Sequence, residues 1–211
     1  MDHSAQKKII DRDMSRLEAM LARVAKSDEK LQRKIAEGDD LQLLDLACGA
    51  CDEAETLTKF FSKLRRGKNL KLTGLDIRAR EIADAAARFK QREDAETGSK
   101  IDFEFLQGDA TKLDGHQQLP GEFDVVFMRH QNLWNGKKTW EEIYQKALDK
   151  LSPDGRLIIT SYFDREHELA LDVIKEQGGE LIVTAANEDS RELQTAGKSV
   201  DRHVAILKRR D

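Results

Sequence analysis

The chain reads as an α/β fold: a seven-stranded, mainly parallel sheet with a terminal antiparallel strand pair, helices on both faces, and an N-terminal helical extension. Three observations carry this reading. Apolar runs and helical repeats alternate from residue 41 to residue 177. Two further apolar runs near the C-terminus follow each other with no helical pattern between them. The first forty residues are different in kind, carrying a single apolar stripe.

In order, Leu41–Leu46 reads as a strand and is followed by a helical pattern near Asp52–Leu64. Leu70–Asp76 reads as the second strand, followed by a helix near Ala79–Arg92, and further strands fall near Phe103–Leu106, Phe123–Met128 and Leu157–Tyr162. Such alternation is the signature of βαβ units. Between the last two of these strands, Thr139–Leu151 places Trp140, Ile143, Tyr144, Ala147, Leu148 and Leu151 at helical spacing, ending in the stop signal Ser152-Pro153-Asp154-Gly155, which feeds the fifth strand. After a helix near Glu166–Gln177, Gly178-Gly179 opens a strand at Glu180–Ala186, and Arg202–Lys208 supplies its antiparallel partner.

At the N-terminus, Ile10, Met14, Leu17, Leu21, Val24, Leu31 and Ile35 recur at helical spacings, with a break predicted at Ser27-Asp28. Such a stripe must be covered, either by the main domain near the ligand mouth or by a second copy in a coiled-coil homodimer. Residues 1–38 are therefore expected to form a helical extension and 39–211 the main domain.

Composition narrows the class. A chain of 211 residues, 39% apolar and with two prolines, fits one compact domain and argues against disorder or a fibre. The net charge of −4 and sequence pI near 5.8 lack the overall basic signature of a nucleic-acid binder. The local runs Arg65-Arg66-Gly67-Lys68 and Lys208-Arg209-Arg210 read as solvated surface. No apolar stretch approaches the roughly 20 residues of a membrane span, and no signal-peptide core is present, so a cytoplasmic location is expected.

The segment Leu43 to Glu55 carries the most information: a buried strand runs into a tight small-residue turn and then a helix. Ala47, Gly49 and Ala50 allow another molecule to approach the backbone, and the helix N-terminus offers it N–H groups. Asp45-Leu46-Ala47-Cys48-Gly49, Gly74-Leu75-Asp76-Ile77, Gly108-Asp109-Ala110, Phe123-Asp124-Val125-Val126-Phe127 and Leu151-Ser152-Pro153-Asp154-Gly155 resemble, in order and spacing, the motifs of class I S-adenosylmethionine-dependent methyltransferases, over roughly residues 41–208. The resemblance implies a Rossmann-like domain, S-adenosyl-L-methionine as cofactor, and a methyltransferase activity. It places Asp45, Ala47, Cys48 and Gly49 under the methionine part. Asp76, beside Ile77, would accept from the ribose hydroxyls, while Asp109 and Ala110 would meet the adenine. Arg129 completes the implied cofactor set.

The turn departs from the family where glycine is usual, at Ala47 and Cys51, and neither residue freely uses left-handed backbone angles. Cys48-Gly49-Ala50-Cys51 also has the spacing of a redox C-x-x-C, but the order of elements is wrong for that fold. With two cysteines and no close histidine pair, no metal site is expected.

Chemistry is expected past the C-terminal ends of the parallel strands, where the fourth delivers Arg129-His130-Gln131-Asn132-Leu133-Trp134. His130 is the candidate general base, with a structural histidine as the bland alternative. Tyr162, Asp164, Trp134 and Trp140 are weaker candidates for an acceptor wall, and Glu53 for the cofactor's amino group. A small-molecule acceptor is expected first, a protein side chain second and RNA third, with no membrane partner. A cofactor-binding protein without catalysis and an NAD-dependent oxidoreductase are the alternatives from other classes.

Overall fold

The computed structural model describes residues 3–38, 40–65 and 67–210. The domain limits Met1, Asp39 and Asp211, and Arg66 of the first basic run, lie outside the described residues. The elements are α1 (His3–Ala25), α2 (Glu29–Glu37), β1 (Asp40–Leu46), α3 (Ala54–Leu64), β2 (Asn69–Asp76), α4 (Ala79–Arg88), β3 (Arg92–Glu93) and β4 (Lys100–Gln107). They continue with β5 (Phe123–Arg129), α5 (Lys137–Asp149), β6 (Leu151–Ser161), α6 (Asp164–Glu176), β7 (Gly179–Ala186) and β8 (His203–Arg209).

The strands form one eight-stranded sheet in the order β3-β4-β2-β1-β5-β6-β8-β7. Pairs among β4, β2, β1, β5 and β6 are parallel, while β8 runs antiparallel to both β6 and β7. Alternate residues of the central strands point to opposite faces, so each face has its own core. Leu43, Leu72 and Phe127 pack with α1 to α4, whereas Leu44, Val126 and Ile159 pack with α5 and α6.

The eighth strand is a departure from the expected seven. The helix expected near Ala79–Arg92 ends at Arg88, because Phe89 turns extended, stacks on Phe103 with centroids 5.2 Å apart and meets Phe105 tilted at 5.6 Å. That contact brings Arg92 and Glu93 alongside β4, where they pair with Ile101 and Lys100. A second departure concerns Ser152-Pro153-Asp154-Gly155. The helix before it ends at Asp149, Leu151 already pairs with Phe123, and the next paired residue is Arg156 opposite Val125. The expected stop signal is thus a bulge inside β6, with Asp154 in the left-handed region at φ 61°.

The N-terminal helices do break where expected. Asp28 caps α2, accepting from the Leu31 N–H at 3.0 Å, and its carboxylate also accepts from Arg156 Nε at 2.6 Å and Nη2 at 3.2 Å. Both partners are buried. Leu17, Leu21, Val24, Leu31 and Ile35 are covered by the chain itself, α1 lying on α3 and beside β7 and β8. The first basic run is not solvated as expected. Arg65 is 2% exposed and donates to the Ile35 carbonyl, and Lys68 donates to the carbonyls of Ala36, Glu37 and Gly38, so the pair secures the C-terminal end of α2. No helix of the described residues is long and apolar enough to cross a membrane.

At the other end of the sheet, His167 ties α6 to the strands. Its Nδ1 lies 3.1 Å from Ser161 Oγ and its Nε2 2.8 Å from Thr184 Oγ1. Burial, and then the neighbouring His203, lower its pKa from 6.5 to about 4. The unfolded chain therefore takes up a proton that the folded one refuses, and the stability this group provides above pH 6.5 is lost as pH falls through 4. The loss attributable to His167 is about 3 kcal/mol. Urea denaturation at pH 7 and pH 4 should show that difference shrinking in His167→Gln.

Candidate active site

The C-terminal ends of β1, β2 and β5 converge on one edge of the sheet, as the parallel order requires. After β1 the chain turns tightly, and Ala47, Gly49 and Cys51 have φ of 56°, 57° and 53°. The expectation that Ala47 and Cys51 would avoid the left-handed region is therefore corrected. Hydrogen bonds hold the turn there: the Cys48 N–H donates to the Leu75 carbonyl at 3.3 Å, the Gly49 N–H to Asp76 Oδ2 at 2.7 Å and the Cys51 N–H to the Cys48 carbonyl at 2.8 Å. Left-handed backbone costs a non-glycine residue of order 1–2 kcal/mol, the kind of strain that functional sites retain.

Asp76 ends β2. Its Oδ1 accepts from the Arg78 N–H at 2.9 Å and Arg78 Nε at 3.0 Å. Burial raises its pKa, but these bonds and the Gly49 N–H outweigh that and hold it below the usual carboxylate range. Three of the roughly four acceptor positions of the carboxylate are used. A ligand diol could engage it fully only by displacing Arg78 Nε, and the Arg78 side chain, 56% exposed, has a second carboxylate partner in Glu81 at 3.3 Å.

Asp45 is different: it is fully buried, and neither carboxylate oxygen has a hydrogen-bond partner. Burial, then Glu53 and Cys51, push its pKa well above the usual range. Such a group is costly unless a cation or donor meets it. Glu53, also buried, lies 3.6 Å from Arg129 Nη1.

Arg129 and His130 leave β5 side by side. Arg129 forms a two-pronged pair with Asp201, Nε to Oδ1 at 2.9 Å and Nη2 to Oδ2 at 2.7 Å. His130 takes φ 59°, stacks on Tyr162 with centroids 3.7 Å apart, and places Nε2 2.8 Å from Asp201 Oδ1. Burial lowers the His130 pKa, with Asp201 opposing. Nε2 also accepts the Asp201 N–H, at 3.1 Å.

These residues border two cavities. The first, about 340 Å³, is lined by Ala47, Asp76, Ile77, Gly108, Asp109, Ala110 and others, including Trp140. The second, about 210 Å³, lies under α1 between Met14, Tyr162, Arg191 and Val200. Arg129 and His130 line both. Ile77, 65% exposed, presents an apolar wall to the first. Asp109 Oδ1 there accepts from the Thr111 N–H and Oγ1 at 3.0 and 2.8 Å, capping a short 3-10 turn.

Of the weaker candidates, Tyr162 reaches the second cavity, whereas Asp164 is taken up by Arg202 and His203 at the surface. Trp134 is half exposed beneath Arg165 and lines neither cavity. Sequence reasoning missed Asp201, which joins Arg129, His130 and Thr160 from the loop before β8, and the Asp13–Arg191 pair at 2.6 Å, which fastens α1 over the second cavity. Neither sits in a motif, and a lone Asp in a polar loop gives no local signal.

The residues around the first cavity fit a nucleoside-bearing cation. Ala47 and Ala110 are small, the Asp76 carboxylate at the end of β2 could take a diol, and the buried Asp45 carboxyl on β1, outside the lining, has no partner. The comparisons agree. Among curated proteins none matches the sequence significantly. By fold the chain is similar to the N-methyltransferase NodS from Bradyrhizobium japonicum WM9, with 15% identity, TM-score 0.58, and 96% of this chain and 97% of that one covered. It is similar to a TehB-like S-adenosylmethionine-dependent methyltransferase from Corynebacterium glutamicum (18% identity, TM-score 0.53, 91% and 94% covered). A third is an S-adenosylmethionine-dependent methyltransferase from Leishmania major (13%, TM-score 0.62, 95% and 73% covered). Residues 37–202 match the family model described as a methyltransferase domain. The chain belongs to that family, and is a class I S-adenosylmethionine-dependent methyltransferase.

Proposed function

We propose that this enzyme methylates a small molecule held in the 210 Å³ cavity, with His130 as the general base and residues 39–211 forming the transferase domain beneath the helical extension 1–38. The observation that carries the reading is that Arg129 and His130 line both cavities, one on the cofactor side and one under α1. When bound, S-adenosyl-L-methionine supplies an electrophilic methyl group on a sulfonium. Asp45 would meet its ammonium group, Asp76 its ribose hydroxyls, and Ile77, Asp109 and Ala110 its adenine, with Ala47, Cys48 and Gly49 forming the floor.

The protein's remaining task is to align an acceptor and remove its proton. His130, kept neutral because burial disfavours the imidazolium, would take that proton. Asp201 then stabilises the charge that develops on the ring. Arg129, neutralised by Asp201 and Glu53, positions this group without adding a free cation. A cavity of about 210 Å³ suits an acceptor of metabolite size better than a folded protein or RNA surface.

Calorimetric titration with S-adenosylmethionine, S-adenosylhomocysteine and NAD tests the cofactor side: micromolar binding of the first two and none of NAD is expected. Acceptor screening with labelled methyl then follows. In His130→Ala, cofactor affinity should stay within a few-fold while transfer to a protonated acceptor falls by about 10²–10⁴. Equal loss of both would assign His130 a structural role instead.

A further inference from the structure

The end of β1 and the turn after it hold a buried cluster that methyl transfer does not need. Asp45, Cys48 and Cys51 fall three residues apart, and the left-handed residues Ala47, Gly49 and Cys51 coil the chain so that these side chains converge. Their ligand atoms, one carboxylate oxygen and two Sγ atoms, lie within 4.8 Å of one another. All three residues are buried, both cysteines are free thiols, and both Asp45 oxygens lack a partner. The sequence shows only two sulfur ligands; the fold supplies the third donor from within β1.

We propose that Asp45, Cys48 and Cys51 form a binding site for a thiophilic divalent cation of the zinc or cadmium class, and that its occupation antagonises the cofactor. The antagonism rests on the cofactor reading above; the metal site does not. A tetrahedral ion holds thiolate sulfur at about 2.3 Å and carboxylate oxygen at about 2.0–2.2 Å, so its donors sit roughly 3.5–3.8 Å apart. Closing the cluster around one ion takes about an ångström of side-chain adjustment. Binding converts two thiols to thiolates and the Asp45 carboxyl, held protonated by burial, to carboxylate, and releases three protons to solvent: M²⁺ + 2 RSH + R′COOH gives M(SR)₂(O₂CR′)⁻ + 3 H⁺. Two sulfur donors select against magnesium and calcium, which demand oxygen. The ion would occupy the carboxylate that the cofactor's ammonium requires, so the two cations compete for Asp45.

Disulfide formation between the same thiols is the weaker use of this pair. Cys51 is fully buried and Cys48 is 8% exposed. An oxidant would have to reach sulfurs closed off from solvent.

The experiment is titration of the reduced, full-length protein with Cd²⁺ and Co²⁺, read by the thiolate-to-metal charge-transfer band and by calorimetry. A band saturating at one ion per chain, absent with Mg²⁺ and Ca²⁺, is expected. Cys51→Gly should abolish it while keeping the native circular dichroism, since glycine suits the backbone at φ 53°. Asp45→Asn should weaken the metal at least tenfold, and Cys48→Ser, which preserves the shape of the turn, should also lose the band. Saturating Cd²⁺ should weaken S-adenosylmethionine binding by tenfold or more. Absence of the band in folded, reduced protein, or its persistence in Cys51→Gly, overturns the site. A band with unchanged cofactor affinity overturns the antagonism. Metal binding in a protein that never binds S-adenosylmethionine would instead sink the cofactor reading and leave the metal site standing.

Discussion

Replacing Asp28 with alanine is expected to cost about 3–5 kcal/mol of folding stability, the largest loss from any single substitution considered. Arg156 is 1% exposed, and its Nε and Nη2 donate to the Asp28 carboxylate. Removing that acceptor leaves a guanidinium buried with only the Asp154 and Gly155 carbonyls, which are neutral. The same carboxylate caps α2 through the Leu31 N–H, a contact worth about 1 kcal/mol by itself. A domain of this size has of order 5–15 kcal/mol in total, so the variant should be marginal at room temperature. Urea denaturation of Asp28→Ala against the double variant Asp28→Ala/Arg156→Met decides the mechanism. Restoration of most of the stability in the double variant is expected, because an apolar replacement removes the stranded charge. A loss below 1 kcal/mol in the single variant would mean that water reaches the pair.

Asp76→Ala should weaken S-adenosylhomocysteine binding by about 1.5–3 kcal/mol, roughly ten- to 150-fold, through loss of a charged acceptor for the ribose hydroxyls. The structure adds a second route to the same loss. Asp76 Oδ2 accepts the Gly49 N–H at 2.7 Å, so its removal also loosens the turn in which Ala47, Gly49 and Cys51 are held left-handed. Asp76→Asn separates the two contributions. Its amide oxygen can still accept from Gly49 while the charge is gone, so the affinity should fall between wild type and alanine. Calorimetry with S-adenosylhomocysteine measures all three, and wild-type affinity in a folded Asp76→Ala would remove this residue from the cofactor site.

The strands were legible because a parallel sheet buried on both faces needs runs such as Leu41–Leu46 and Phe123–Met128, which few other structures accept. The break at Ser27-Asp28 was legible because Asp is a strong cap. What failed was local pattern overruled by tertiary contact. Arg92 follows helix-forming residues, yet the stacking of Phe89 on β4 pulls it into a strand. Ser152 to Gly155 carries every mark of a terminator, yet β6 absorbs it as a bulge. Arg65 looks solvated beside other basic residues, yet its guanidinium is drawn under α2 by the Ile35 carbonyl. Within the site, residues attached to strand ends were visible and Asp201 was not. Its importance comes from meeting Arg129, 72 positions away, and no sequence window contains both.

The two cavities are walled by different stretches of chain. The first draws on the ends of β1 and β2, the loop after β4 and the start of α5, whereas the other draws on α1, Asp52 in the turn after β1, Tyr162 and the loop carrying Arg191, Leu193 and Val200. They meet at Arg129 and His130 alone among the residues lining them. Substitutions at Ile10, Met14 or Leu193 therefore reshape one chamber and leave the other intact. Shape in the second chamber is thus set by a helix near one end of the chain and a loop near the other, separately from Ala47 and the ends of β2 and β4.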